Sequence, residues 1–111
     1  TLTTEHHWLV ESPLSAKVSA EFMGTYFVVI TKGLVYHKGE SRSGSSLALG
    51  SCIASMVYSI RGISGGHFNP AVSFAVWLSG RDLLPFQNLL PYIVTQFLAG
   101  VAATIVFTAV Q

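Results

Sequence analysis

Residues Ser64 to Val72 read Ser-Gly-Gly-His-Phe-Asn-Pro-Ala-Val, and they hold the residue types best suited to do chemistry in this chain. Gly65 and Gly66 accept backbone shapes that other residues resist. Pro70 suits the first position of a helix, which puts Asn69 at the N-cap. From there the Asn69 side-chain oxygen accepts from the backbone N–H of Ala71 or Val72, and its NH₂ is left to donate elsewhere. The helix N-terminus adds a partial positive charge at the same point. An extended Gly65-Gly66-His67 stretch leading into such a helix offers a row of carbonyl oxygens. The chemistry is hydrogen bonding to a small polar molecule. The carbonyls accept, Asn69 donates, and the local field is adverse to cations. Nothing points to an enzyme: the acids are scattered, no nucleophile is spaced against a base, and there is no phosphate-binding loop. His67 has no second ligand at metal-binding spacing, since His6 and His7 lie in a different, polar segment. No metal and no cofactor are expected.

An isolated Asn-Pro is most often a loop and a capped helix in an ordinary globular core. The surroundings of this one argue otherwise. Half of the 111 residues are hydrophobic and only 10% are charged, with a mean hydropathy of +0.55. A soluble domain carries about a quarter charged residues, so the deficit points to a membrane. A net charge of +1 without a clustered basic face excludes a nucleic-acid partner. The single Cys52 excludes an internal disulfide framework. Thr1 to Ser12 has no basic region followed by an apolar run, so no secretory signal is expected. With no initiator Met, the chain is expected to begin inside a longer one.

Four apolar segments must position the loop. They run from about Val18 to Tyr36, Leu47 to Ile60, Pro70 to Leu78 and Leu89 to Val110. A membrane-spanning helix needs roughly 20 residues. With flanking residues, the first, second and fourth segments predict spans of about 17–37, 46–62 and 86–110. The third predicts a helix over about 69–79, roughly 16 Å long. That is about half of the ~30 Å hydrocarbon core. The segment is too short to cross and too apolar for an exposed loop, so a half-membrane helix buried among the other three is expected. Irregular backbone such as residues 64–68 is tolerated at membrane depth only where it is buried in protein or lines a watery cavity. The polar run His37 to Ser46 suits a water-exposed connection, and Gly80, Arg81 and Asp82 suit the turn after the short helix. Pro85 and Pro91 fall near the start of the last helix, where proline is best tolerated. The expected organisation is a polar N-terminal segment over 1–16 and one all-α membrane unit over 17–111. Lys17, Arg61 and Arg81 lie on one side, and Lys38 and Arg42, with Lys32, on the other. The positive-inside rule therefore assigns no orientation.

The run Ser64 to Val72 resembles the first Asn-Pro-Ala motif of the aquaporins, the major intrinsic protein family. Ala20-Glu21-Phe22-Met23-Gly24-Thr25 is similar to that family's first-helix motif, and Tyr92 to Gly100 (Tyr-Ile-Val-Thr-Gln-Phe-Leu-Ala-Gly) to its third-helix motif. The resemblance covers about Ala16 to Val110. It implies the N-terminal repeat of an aquaporin-like fold: three transmembrane helices plus one re-entrant half-helix, with Asn69, Pro70 and Ala71 as the motif. It also implies a second, inverted repeat, which this chain lacks together with the filter arginine. The expectation is a fragment of a longer channel, usually a homotetramer, in the plasma membrane or an intracellular membrane. The implied partners are the lipid bilayer, the second repeat, and water or small neutral solutes. The implied function is passage of water or small uncharged solutes with ions and protons excluded, the choice among water, glycerol, urea, ammonia and hydrogen peroxide being left open. The alternative is a non-conducting half-channel that packs with or regulates full-length relatives.

The resemblance also assigns roles. Asn69, the carbonyls of Gly65, Gly66 and His67, and the apolar side chains of Val28, Ile53 and Val72 line the pore. Leu49 falls at the second-helix position of the selectivity filter, where water-specific members usually carry an aromatic ring. Glu21, a costly charge in an apolar helix, and His67, a structural histidine expected beside it, support the loop. Several residues are expected only to pack. These are the small residues spaced by four (Ala20 and Gly24, Gly50 and Ala54, Ser55 and Ser59, Ala99 and Ala103) and Cys52. Trp8, Trp77 and Tyr92 are interface anchors or packing residues, and Lys32 can snorkel to the interface.

Overall fold

The computed structural model describes residues 11–37 and 42–111, with the Arg42 side chain left out. Trp8, His6, His7 and residues 38–41 of the polar connection lie outside the described residues. Four helices follow one another: α1 (Leu14–His37), α2 (Arg42–Ser64), α3 (Pro70–Leu78) and α4 (Phe86–Ala109). There is no strand among the described residues. The chain is all-α.

Two helix starts differ from expectation. α1 begins at Leu14, inside the stretch read as the polar N-terminal segment. The Pro13 carbonyl accepts from Ala16 N at 3.0 Å and Lys17 N at 3.2 Å, so the first turn is already built there. α2 starts at Arg42 rather than near residue 46, and runs on to Ser64. Ser45 is buried and its Oγ donates to the Val35 carbonyl at 2.9 Å. That bond ties the first turn of α2 to the last turns of α1 and makes helix out of polar sequence. In α4, Pro91 sits six residues in rather than at the edge. It gives no N–H to the carbonyl four residues back, a local cost that the rest of the helix carries.

α1, α2 and α4 are each long and apolar enough to cross a membrane. α3 is nine residues long, about 14 Å. α1 packs against both α2 and α4, and α3 packs on α4. Two apolar clusters join the helices. Ala20, Ile60 and Phe68 hold α1, α2 and the loop together, with Val28, Met56, Val57 and Ile63 around them. Leu84, Leu89 and Tyr92 hold α3 to α4, with Val76, Trp77 and Ile93 around them. The outward faces are studded with Leu47, Leu90, Phe97 and Leu98, all strongly exposed. Such faces are unfavourable in water and suited to lipid or a further helix layer.

The deepest large side chains are polar. Glu21 and Ser73 are 0% exposed, Tyr92 1% and Gln96 2%. Small residues make room in two places: Ala99 and Ala103 on α4 are fully buried, and Gly24 on α1 is buried against the loop. The Gly50 and Ala54 pair is different. Both are exposed on α2, and nothing lies within 4 Å of a Cβ built on Gly50. That face has no packing partner among the described residues.

Candidate functional site

The chain leaves α2 at Ser64, turns through Gly65, Gly66, His67 and Phe68, and enters α3 at Asn69. Gly65 has φ +96 and Gly66 φ +67, where L side chains are strained. Phe68 takes φ +55 although it is not glycine. Its cost is offset by what fixes it: its N–H donates to Glu21 Oε2 at 2.7 Å, and its ring is buried against Ala20 and Ile60. Asn69 is the N-cap of α3, and its Oδ1 accepts from Ala71 N at 2.9 Å. That bond fixes the amide orientation and leaves Nδ2 as the outward donor.

Glu21 is the hub. Oε1 accepts from Ser64 Oγ at 2.8 Å and His67 N at 2.9 Å. Oε2 accepts from Phe68 N at 2.7 Å and Gln96 Nε2 at 3.0 Å. The four donors are neutral groups, and they come from the loop, from the end of α2 and from α4. A buried carboxylate is tolerable only with its lone pairs filled in this way. Gln96 also donates to Ser73 Oγ at 2.9 Å, and Ser73 Oγ lies 2.9 Å from His67 Nδ1. The Tyr92 hydroxyl donates to the Ser64 carbonyl at 2.7 Å, and its ring tilts against the His67 ring at 5.3 Å.

An open groove of about 600 Å³ lies beside Asn69 and is lined by Thr25, Val28, Lys32, Gln96 and Thr104 among others. The structure thus brings Val28 and Asn69 to the same groove. Leu49 is half-buried, and Ile53 and Val72 are exposed; none of the three lines this groove. Gly65, Gly66 and His67 precede Asn69 in the loop and are not among the residues that line this groove. Lys32 is exposed in the groove, one helical turn from Val28. Cys52 is half-buried and within 3.4 Å of Thr31 Oγ1. Tyr92 is no interface anchor: burial and its hydroxyl bond make it a brace beneath the loop. Three groups of the hub have no role in the sequence reading: Ser64, Ser73 and Gln96. The weak signal was Gln96, the single amide side chain between Leu89 and Ala109.

Tyr92→Phe removes one hydrogen bond and leaves the Ser64 carbonyl without that donor. A loss of about 1 kcal/mol is expected, read as a lower unfolding midpoint in detergent with the helix content retained. An unchanged midpoint would show that water replaces the hydroxyl.

The sequence model of the family described as major intrinsic protein matches residues 9–111. Over 94 residues the chain is 43% identical to Aquaporin Z of Brucella melitensis biotype 1, a stretch covering 78% of this chain and 40% of that protein. Over 97 residues it is 35% identical to Aquaporin Z of Photorhabdus laumondii subsp. laumondii, covering 81% of this chain and 41% of that protein. The chain therefore spans about two fifths of the length of these curated relatives. A family match over nearly the whole chain, three helices fit to cross a bilayer and a capped half-helix between them lead to one conclusion: this integral, multi-pass membrane protein belongs to the aquaporin, or major intrinsic protein, family.

Proposed function

We propose that the chain forms one half of the wall of a membrane channel that passes water, and small uncharged solutes such as glycerol, urea, ammonia or hydrogen peroxide, while excluding ions and protons. The observation that carries this is Asn69. Its oxygen is tied to Ala71 N, its NH₂ is free to donate, and it stands at a helix N-terminus on the wall of an apolar groove. A water or hydroxyl solute accepts from Asn69 and donates to the carbonyls of Gly65, Gly66 and His67. Val28 supplies apolar wall in this groove, and Ile53 and Val72, exposed outside it, supply apolar wall along the rest of the path. Leu49 in place of an aromatic ring gives the constriction a wider and more apolar lining, which favours solutes larger than water. Glu21 holds the loop. A homotetramer is the assembly this reading favours, in the plasma membrane or an intracellular membrane.

A second reading is favoured by the length of the match, about two fifths of the relatives. The groove beside Asn69 is open along one side, and a second repeat would be needed to close it. In this reading the chain alone conducts nothing and packs with, or regulates, a full-length relative. Osmotic swelling of liposomes holding this chain decides between the two. Rapid swelling with a low activation energy favours a pore formed by assembled halves. Swelling no faster than empty liposomes, with the protein shown to be inserted, favours the half-channel.

Asn69→Asp exchanges the donor for a negative charge at the same place. A unit charge about 4 Å from a passing cation is worth about 4 kcal/mol at an effective dielectric of about 20. Cation conductance in reconstituted bilayers is expected to rise more than about tenfold, with water flux kept or reduced. Unchanged conductance and unchanged water flux would remove Asn69 from the pore wall.

A further inference from the structure

The hydrogen bonds behind the loop have a direction, and it can be followed from Glu21 to His67. Gln96 Nε2 carries two protons and has two acceptors, Glu21 Oε2 at 3.0 Å and Ser73 Oγ at 2.9 Å. Turning the amide round would set its oxygen against the carboxylate, so the orientation is fixed. Ser73 Oγ therefore accepts from Gln96 and keeps its own single proton to give. Ser73 is 0% exposed, so no water takes that proton. Its other side-chain partner among the described residues is His67 Nδ1, at 2.9 Å. Were Nδ1 protonated, both groups would point donors at each other and the serine O–H would be buried without an acceptor, which is unfavourable. Nδ1 is the acceptor, and in the neutral ring the proton then sits on Nε2.

We propose that Ser73, itself held by Gln96, is a positioning residue that locks His67 in the Nε2–H form, so that the loop presents a ring donor among its carbonyl acceptors. The Nε2 edge lies over Gly65: a Cβ built on that glycine would come within 3.0 Å of Nε2. A donor at this point lets a solute that both accepts and donates exchange partners along the loop before it reaches Asn69. That consequence rests on the channel reading; the assignment of the proton rests on the hydrogen bonds alone.

The test is ¹⁵N solid-state NMR of the protein in lipid bilayers near neutral pH, with the His67 ring signals assigned by their loss in His67→Gln. The expected wild-type pattern is a protonated Nε2 and an unprotonated, hydrogen-bonded Nδ1. In Ser73→Ala the Nδ1 resonance should move downfield as its donor is lost, and osmotic water flux should fall. Ser73→Thr, which keeps the hydroxyl, should restore both. Should Ser73→Ala fail to insert, Ser73→Cys, a weak donor, gives the same readouts. A protonated Nδ1 in the wild type, or an Nδ1 resonance unmoved by Ser73→Ala, overturns the proposal. The expected nitrogen pattern with no water flux in the wild type supports the proposal and favours the non-conducting half-channel over a pore of assembled halves.

Discussion

Glu21→Leu is expected to abolish folding into the membrane rather than to alter selectivity. The carboxylate is 0% exposed and takes four hydrogen bonds, from Ser64 Oγ, His67 N, Phe68 N and Gln96 Nε2. A leucine of similar bulk fills the space but strands all four donors. Each buried donor left without a partner costs about 1–3 kcal/mol, so the sum is about 4–12 kcal/mol, comparable to the ~5–15 kcal/mol that holds a typical domain together. Two of the stranded groups are backbone amides of the loop, and one belongs to Phe68 at φ +55. Without that anchor the left-handed turn has less to hold it against relaxation, and Asn69 moves with it. Glu21→Gln keeps the shape and one oxygen, so it should retain part of the membrane yield. The measurements are membrane yield, unfolding midpoint in detergent, and water flux of whatever inserts. Normal yield with normal flux in Glu21→Leu would sink the idea that this carboxylate holds the loop.

That hub was only partly legible in the sequence. Glu21 stood out because a charge in an apolar helix demands a partner, and the Gly65-Gly66 pair announced an irregular turn near enough to supply one. The half-helix was legible for a different reason: Pro70 fixes its start, and its length falls short of a bilayer. Ser64, Ser73 and Gln96 were not legible as a set. Serine and glutamine are tolerated on many helix faces, and only the packing of α4 on α1 brings Gln96 to Glu21 across 75 positions of sequence. Tyr92 carried two opposite expectations, because the same ring suits an interface or a buried brace. Its burial and its bond to the Ser64 carbonyl follow from where α4 crosses behind the loop. The start of α2 was misplaced because Ser43 to Ser46 reads as a flexible linker by composition. The Ser45 bond to α1 is a tertiary contact that local propensity does not record. Gly50 and Ala54 show the limit in the other direction: their spacing promises close packing, but both are exposed and among the described residues nothing lies within 4 Å of a Cβ built on Gly50.

Gly24→Ala should cut water flux out of proportion to its cost in stability, and it isolates what Phe68 does for Asn69. An added Cβ at Gly24 would lie 2.0 Å from Phe68 Cε1, 2.3 Å from Cδ1 and 2.5 Å from Cζ. No van der Waals contact is that short, so the ring must leave its notch. It has little freedom to do so, because the Phe68 amide is held by Glu21 and the ring packs on Ala20 and Ile60. Overpacking of this kind costs about 1–3 kcal/mol, occasionally more. The displacement is passed directly to the next residue, Asn69, so water flux should fall by more than the loss of folded protein explains. Phe68→Ala alone opens a cavity and costs about 3–5 kcal/mol. In the double variant the new methyl enters space that the ring has vacated, so the two effects should not add. A coupling of at least about 1 kcal/mol, with the double variant more stable than the sum of the singles predicts, is the expected result of the cycle. Strict additivity would mean that the glycine serves the approach of α1 to its neighbours and not the seating of Phe68. Asn69 would then be positioned by its own N-cap bond and by the His67 and Phe68 amides held on Glu21, with no contribution from the apolar notch.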